Sequence, residues 1–167
     1  MVKYIWHTTS KLPDLPVRQV YGVLFTDDGR ILLRIEQGKY QLTGGRPKKG
    51  EEYEDVLRRE VREEACCSLS QVEYIGYQEV HGNGEVYAQL RYAALIDHIY
   101  PIKTDPDRFG WSYGRILVPP DQAKTLLPYG EIGVQIIKAA LRAAKAEHYF
   151  KTQNTDSEII NSEVRIA

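Results

Sequence analysis

Three glutamates spaced three and four residues apart have the arrangement of a cation-binding site. Glu60, Glu63 and Glu64 lie in residues 51–66, which contain no Gly or Pro and are predicted to form a helix. At about 100° per residue, the three carboxylates share one arc of the helix surface. Like charges this close repel one another, and a bound cation would turn that repulsion into coordination. Hard oxygen ligands of this kind favour Mg²⁺ or Mn²⁺.

An apolar stripe beside the acids indicates which side of this helix faces the core. Leu57, Val61 and Ala65 recur at helical spacing and adjoin the arc of carboxylates. The acids are therefore expected at the edge of the buried surface, where repulsion costs more than in open solvent. The alternative is a solvated face on which the acids pair with the three arginines of the same helix.

A basic, glycine-rich segment immediately precedes the helix. Gly44 and Gly45 are adjacent, and they are followed by Arg46, Pro47, two lysines and Gly50. Because glycine permits positive φ and close approach of the backbone, we predict a turn here. A turn of this composition would form a phosphate cradle that leads directly into the acidic helix.

The combined pattern resembles the Nudix box, the signature of the Nudix hydrolases. Residues 45–67 contain Gly, five residues, Glu, seven residues, Arg-Glu, an aliphatic residue, any residue and Glu-Glu, as the box does. Two positions depart from it, since Cys66 stands where the box has Gly and Cys67 where it has an aliphatic residue. That Gly would end the helix in the left-handed region, so we expect Cys66 to strain the cap by about 1 kcal/mol.

The resemblance implies an α/β fold and a chemistry. The expected architecture is an α/β/α sandwich with a mixed, mostly antiparallel sheet, formed by a single domain over residues 1–150. The implied reaction hydrolyses a phosphoanhydride in a nucleoside diphosphate linked to another moiety, with Mg²⁺ or Mn²⁺ as cofactor. Glu60, Glu63 and Glu64 would hold the metal, and Glu63, Glu64 or an acid outside the box would act as base. Arg59 would orient the carboxylates, most simply by pairing with Glu63.

Several residues are candidates for binding the substrate. Arg34 lies among apolar residues of a predicted strand, where it would either contact a phosphate or face solvent. Trp111 would either stack on a base or ribose, or pack in the core. The full candidate set is Gly44, Gly45, Arg34, Arg46 and Trp111. Outside the box, the candidates for a further metal ligand or base are Glu79, Glu85, Asp105 and Asp107.

The rest of the sequence predicts the elements that would position these residues. Apolar runs bounded by Gly, Pro and Asp predict strands, and two Gly-containing turns predict hairpins. A short helix is expected after Pro119, and a long amphipathic helix should follow it. The strands are predicted at residues 17–25, 31–35, 71–80, 85–97 and 111–118, and the long helix at 131–148.

Composition limits the class of protein. The chain has 167 residues and a net charge of −1, so no overall attraction to nucleic acid or anionic membranes is expected. The amino terminus has no continuous apolar run, and the adjacent cysteines form no disulfide framework, which favours the cytoplasm. The polar tail, residues 151–167, is expected to be loosely ordered or to form an oligomer contact, such as that of a homodimer.

Two interpretations of function remain open from the sequence. The first is a pyrophosphohydrolase whose partner is a small nucleotide, such as a nucleoside triphosphate or a nucleotide sugar. The second is a module of the same fold that binds a nucleotide without cleaving it; loss of box acids would favour it, and none is lost. A transcriptional regulator is disfavoured because no DNA-binding helix-turn-helix or basic stripe is present. Markers of the ADP-ribose, dinucleoside polyphosphate, NADH and coenzyme A subfamilies are absent from the expected positions.

Overall fold

Nine strands form one sheet within residues 1–103 and 112–164, which are the residues that the computed structural model describes. The described residues also form three α-helices, the first of which continues into a π-helical turn (Val61–Ala65). The helices are α1 (Tyr53–Glu60), α2 (Pro120–Leu126) and α3 (Gly130–Ala146). The strands are β1 (Lys3–Thr8), β2 (Val17–Phe25), β3 (Ile31–Glu36), β4 (Lys39–Gln41), β5 (Thr43–Gly45), β6 (Cys67–Gly82), β7 (Glu85–Ile99), β8 (Gly114–Val118) and β9 (Glu158–Asn161).

The sheet is mixed and mostly antiparallel, as the sequence analysis predicted. Its strand order is β1-β6-β7-β2-β3-β8-β9, with β4 beside β3 and β5 beside β2. Among the described pairs, β2 and β7 alone run parallel. None of the helices in the described ranges is long and apolar enough to cross a membrane.

Helices cover both faces of this sheet. On one face, α1 and the π turn bury Val56, Leu57 and Val61 against the strands. On the other face, α3 buries Ile136 and Ile137 in a second apolar cluster, which α2 extends. The α/β/α sandwich is therefore confirmed, and the acidic helix packs on the face opposite α3.

The paired glycines adopt a different conformation from the predicted one. Gly44 and Gly45 lie in the short strand β5, which pairs with β2, rather than in a turn. Neither has a positive φ; the glycine of this segment that does is Gly50, at 78°. Glycine is consequently needed at positions 44 and 45 because neighbouring atoms lie too close for a side chain, and not because the backbone has an unusual torsion angle.

The box helix also differs in detail from the predicted range of 51–66. It begins at Tyr53, which leaves Glu51 in the preceding loop, and its last turn is π-helical. It ends at Cys66, whose φ of 51° and ψ of 47° are left-handed, as the motif comparison predicted. An L residue therefore occupies a conformation that favours glycine.

Part of the tail, which its composition suggested to be loosely ordered, pairs with the sheet. Strand β9 pairs with β8, and a further bridge joins Ser112 to Val164. Glu158 accepts a hydrogen bond from the buried Arg30 at 3.0 Å. The predicted oligomer contact stays a prediction.

Candidate active site

The paired glycines let the backbone of β5 contact both β2 and the acidic helix. A Cβ atom on Gly44 would lie 2.0 Å from the carbonyl oxygen of Val20, which no side chain permits. A Cβ atom on Gly45 would lie 2.5 Å from the carboxyl carbon of Glu60. The Glu60 carboxylate therefore rests directly on the backbone of β5, in space that only glycine leaves open.

Arg59 connects the acids of the box to the loop before the helix. Its Nε and Nη2 each donate to Glu51 at 2.9 Å, and its Nη1 donates to Glu60 at 2.7 Å. Nη2 also reaches the carbonyl oxygen of Arg46 at 3.0 Å. The predicted pair with Glu63 is the longest of these contacts, at 3.5 Å. The hydrogen bonds from Arg59 lower the pKa of Glu51 to about 2.

Glu60 and Glu64 bring two carboxyl groups together at the edge of the core. The Glu60 carboxyl lies close enough to Glu64 to affect its pKa, and Glu64 accepts a hydrogen bond from Arg34 Nη1 at 2.8 Å. Burial raises the pKa of Glu64 well above its ordinary value, although the Arg34 guanidinium opposes this shift. The neighbouring charges of Glu60 and Glu36 raise it further.

Glu63 does not join this pair in the conformation observed. Its side chain is 52% exposed, and its contact with Arg59 is weak. Within the described residues, no group of three or more His, Cys, Asp and Glu side chains is arranged to hold a metal ion. A site with all three predicted ligands therefore requires the exposed Glu63 side chain to rotate toward the other two.

The donor set nevertheless fits a divalent cation. Glu60 and Glu64 supply oxygen atoms only, which is the chemistry that Mg²⁺ and Mn²⁺ prefer. Burial, and after it the neighbouring Glu60 carboxyl, raise the pKa of Glu64, and a bound cation would favour the ionised form against both. Because Gly45 has no side chain, the Glu60 carboxylate can occupy the space beside the backbone of β5.

Buried polar contacts hold the end of the acidic helix. The carbonyl oxygen of Ala65 accepts hydrogen bonds from Arg115 Nη1 at 2.8 Å and from Cys67 Sγ at 3.2 Å. Arg115 Nε in turn donates to Asn161 of β9 at 2.6 Å. Burial raises the pKa of the Cys67 thiol to about 11. Strands β8 and β9 thus stabilise the turn in which Cys66 stands for the usual glycine.

The structure places the other predicted residues in different surroundings. Arg46 reaches the site through its backbone carbonyl. Glu79 pairs with His7 at 3.1 Å and with His81, and Glu85 pairs with Arg18 at 2.7 Å, so both acids already have basic partners. Three further candidates lie outside the described residues: Asp105, Asp107 and Trp111.

Sequence reasoning missed several residues that the structure brings to the site. Glu51 is a position of the box itself, so the motif could have identified it. Glu36 follows Arg34 by two residues in β3, and strand alternation could have placed both on one face. Gln41, which accepts a hydrogen bond from Arg34, and Arg115 gave no local signal, because strand pairing alone brings them there.

A cavity of about 440 Å³ opens beside Arg34. Strands β2, β6 and β7 contribute Tyr21, Gln78 and Arg91 to its wall, and the start of α3 contributes Ile132. Arg34 thus borders this cavity and also contacts Glu64. The cavity is large enough for part of a nucleotide and adjoins the carboxylate pair.

Comparisons with known proteins agree with this geometry. The family model for the NUDIX domain matches residues 15–140. A mutant of the Bacillus subtilis pyrophosphohydrolase BsRppH has a similar structure, with a TM-score of 0.65 and 21% identity over 90% of this chain and 93% of that one. A NUDIX hydrolase from Nitrosomonas europaea gives a TM-score of 0.55 and 22% identity over 78% and 90% of the two chains.

A third structure, reported for MutT from Aliivibrio salmonicida and Vibrio cholerae, gives a TM-score of 0.53 and 17% identity, covering 74% of this chain and 94% of that one. No curated protein sequence matches the chain. The structural likenesses support the fold, and the family model covers most of the sequence, including the whole box. The chain therefore belongs to the NUDIX domain family.

Proposed function

We propose that the protein hydrolyses a phosphoanhydride bond in a nucleoside diphosphate linked to another moiety, in a reaction that depends on a divalent metal. The observation that carries this proposal is the half-buried pair of Glu60 and Glu64, with Glu60 against Gly45 and Glu64 against Arg34. A purely structural helix face would not be expected to crowd two carboxyl groups together at the edge of the core, where ionising both is costly. A divalent cation would offset that cost, so the crowded pair supports a role in cation binding.

The proposed metal ligands are Glu60, Glu64 and, after rotation of its exposed side chain, Glu63. When bound, Mg²⁺ or Mn²⁺ would supply positive charge that neutralises the pyrophosphate oxygens. Arg59 holds Glu60 in place through a 2.7 Å hydrogen bond and ties the preceding loop to the same helix through Glu51. These contacts preorganise the carboxylates before substrate arrives.

Hydrolysis needs a water molecule to attack one phosphorus atom while the bridging P–O bond breaks. The attacking water must lose a proton, and a carboxylate of Glu63 or Glu64, or an acid outside the box, would accept it. The departing phosphate takes the electrons of the broken bond. Arg34, beside Glu64 and the cavity, is positioned to contact a phosphate oxygen of the substrate as well as that carboxylate.

The reaction site would admit a small nucleotide, such as a nucleoside triphosphate or a nucleotide sugar. The cavity of about 440 Å³ beside Arg34 supports this size of partner. The free thiols of Cys66 and Cys67 support the expectation of a reducing, cytoplasmic location. A homodimer would be tested by measuring the molar mass in solution.

The test is release of phosphate or mononucleotide from a panel of nucleoside triphosphates, nucleotide sugars and dinucleoside polyphosphates, with and without Mg²⁺ or Mn²⁺. Turnover that needs the metal and is lost in Glu60→Gln supports the proposal. Turnover that persists without metal contradicts it. Binding of a nucleotide without any turnover would instead support the non-catalytic module.

A further inference from the structure

Polar side chains interrupt an otherwise apolar face of the sheet at the cavity beside Arg34. Gln78 of β6 donates to Gln89 of β7 at 2.7 Å, and Gln89 donates to Gln19 of β2 at 3.0 Å. Arg91 follows Gln89 by two residues on the same face, where it borders the cavity. The face continues as the apolar cluster that packs against α3. This polar group has no evident part in packing.

Arg91 is a buried cation without a counter-ion. Its side chain belongs to a residue that is 5% exposed, and no carboxylate among the described residues pairs with it. Nη1 reaches two backbone carbonyls of its own strand, at 3.3 and 3.5 Å, while Nε has no hydrogen-bond partner. The guanidinium lies over the ring of Tyr21, 4.7 Å from its centre.

A buried guanidinium with no counter-ion destabilises the fold unless a bound ligand pairs with it. Burial lowers the pKa of Arg91 to about 10, so the side chain is still charged at neutral pH. An uncompensated buried charge and an unpaired donor both cost free energy. A methionine of similar length would pack there without that cost. A buried arginine with an unpaired donor beside a cavity therefore points to a ligand with hydrogen-bond acceptors.

We infer that this cavity is a base pocket in which Arg91 binds the O6 and N7 atoms of a guanine-type base. This inference rests on the proposed function, because it treats the cavity as part of the substrate site. Nε and Nη2 form the edge of the guanidinium with no acceptor among the described residues. Two adjacent acceptors on one edge occur in guanine and hypoxanthine, whereas adenine and cytosine present an amino group there.

A phosphate also offers two acceptors to an arginine, but the rest of the cavity favours a base. Its described lining contains the neutral amides of Gln78 and Gln89, the rings of Tyr4 and Tyr129, and no lysine. Amides and aromatic rings suit a flat polar ligand better than a compact anion. Arg34 lies at the part of the cavity that adjoins Glu64, so the phosphates of the same ligand would extend toward the carboxylate pair.

Calorimetric binding of mononucleotides to the full chain tests this inference without requiring turnover. The panel is GMP, IMP, AMP and 7-deaza-GMP, measured with the original protein; these mononucleotides have no phosphoanhydride bond, so hydrolysis plays no part. GMP and IMP should bind roughly 10- to 100-fold more tightly than AMP, since a bidentate base contact discriminates by this much. The affinity of 7-deaza-GMP, which lacks N7, should lie between those of GMP and AMP.

Two substitutions separate a ligand role of Arg91 from a structural one. Arg91→Met should abolish the preference for GMP and raise the melting temperature, because it removes a buried unpaired charge. Arg91→Lys keeps the charge without the two-pronged edge, so it should also lose the preference. Arg18→Met, which removes an exposed arginine paired with Glu85, is the control and should change neither property.

Each contrary result has a definite meaning. Equal affinities for GMP and AMP would overturn the base pocket, and so would a lower melting temperature of Arg91→Met with an intact preference. A loss of affinity for inorganic pyrophosphate as large as that for GMP would assign Arg91 to phosphate instead. Because binding is measured without catalysis, a failure here would leave the proposed hydrolysis untouched, and a failure to hydrolyse would leave the base preference measurable.

Discussion

The carboxylate of Glu60 occupies the space where a side chain on Gly45 would lie. An added Cβ would meet its carboxyl carbon and one oxygen at 2.5 Å, closer than real Cβ contacts come. Because Arg59 also holds Glu60, the carboxylate is fixed from two directions: by the backbone of β5 and by a hydrogen bond of 2.7 Å. The placement of this acid thus depends on a residue fifteen positions earlier in the chain.

Gly45→Ala should therefore lower kcat/KM and leave the melting temperature nearly unchanged. The new methyl group would displace the Glu60 carboxylate, which is a flexible side chain, while β5 keeps its pairing with β2. We expect the rate to fall at least tenfold, corresponding to about 1.4 kcal/mol of lost transition-state stabilisation. The measurement is kcat/KM on the best substrate of the panel, beside thermal unfolding.

The control for this variant is Gly82→Ala, at the end of β6, where the added Cβ would meet only the side chain of Val2 at 3.2 Å. Its activity should match that of the original protein. Full activity of Gly45→Ala would show that the position of Glu60 is not critical.

The left-handed conformation of Cys66 predicts an unusual order of stabilities. Cys66→Ala keeps a Cβ atom and its strain but loses the sulfur, whereas Cys66→Gly removes both. Glycine should therefore be more stable than alanine at this position by about 1 kcal/mol, the cost of a left-handed L residue. Urea unfolding of the two variants measures the difference. Alanine at or above the stability of glycine would mean that the turn relaxes when the sulfur is lost.

Arg115 should be a large contributor to stability. Arg115→Met leaves the Ala65 carbonyl without its bond to a guanidinium and breaks the link to Asn161. The expected loss is about 2 kcal/mol, typical of a buried polar group left without its partner. Denaturant titration checks it, with the exposed Arg142→Met of α3 as control. An unchanged midpoint for Arg115→Met would argue that β8 and β9 do not stabilise the end of the box helix.

The raised pKa of the buried Cys67 thiol predicts that the protein loses stability at alkaline pH. Burial raises its pKa from an ordinary 9.0 to about 11, so between these values the thiol stays protonated in the folded chain and ionises in the unfolded one. The folded state then binds more protons, and the free energy of unfolding falls as pH rises, by about 2 kcal/mol in total. Unfolding at pH 8 and pH 11 should show a smaller decrease in Cys67→Ala than in the original protein. Equal decreases would assign the effect to other groups.

The box motif predicts which residues lie at the candidate site better than it predicts their contacts. The acids, Arg59 and the left-handed position 66 all follow from local spacing, which a single sequence contains. The partners of Arg59 do not follow from it, since spacing favours Glu63 and the structure prefers Glu51 and Glu60. Glu51 becomes available because the helix starts at Tyr53 and leaves it in the loop.

Strand pairing explains most of the remaining differences. Five of the nine strands in the described residues lie near their predicted positions because alternation and turns are local signals, although β6 and β7 extend further than expected. The tail looked loosely ordered because its residues are mostly polar. Its order comes from partners far away in sequence, such as Arg30 for Glu158 and Arg115 for Asn161. The cavity with Arg91 likewise exists only once three strands are side by side.

We expect the carboxylates beside Gly45 and Arg34 to bind the metal that hydrolysis requires. The most direct measurement is the rate of nucleotide hydrolysis as Mg²⁺ or Mn²⁺ is titrated, for the original protein, Glu64→Gln and Glu54→Gln. Glu54 lies on the same helix but is half-exposed and pairs loosely with Arg58, at 3.9 Å. The account predicts metal-dependent turnover that Glu64→Gln abolishes and Glu54→Gln retains. Equal metal dependence and rate in all three proteins would contradict it.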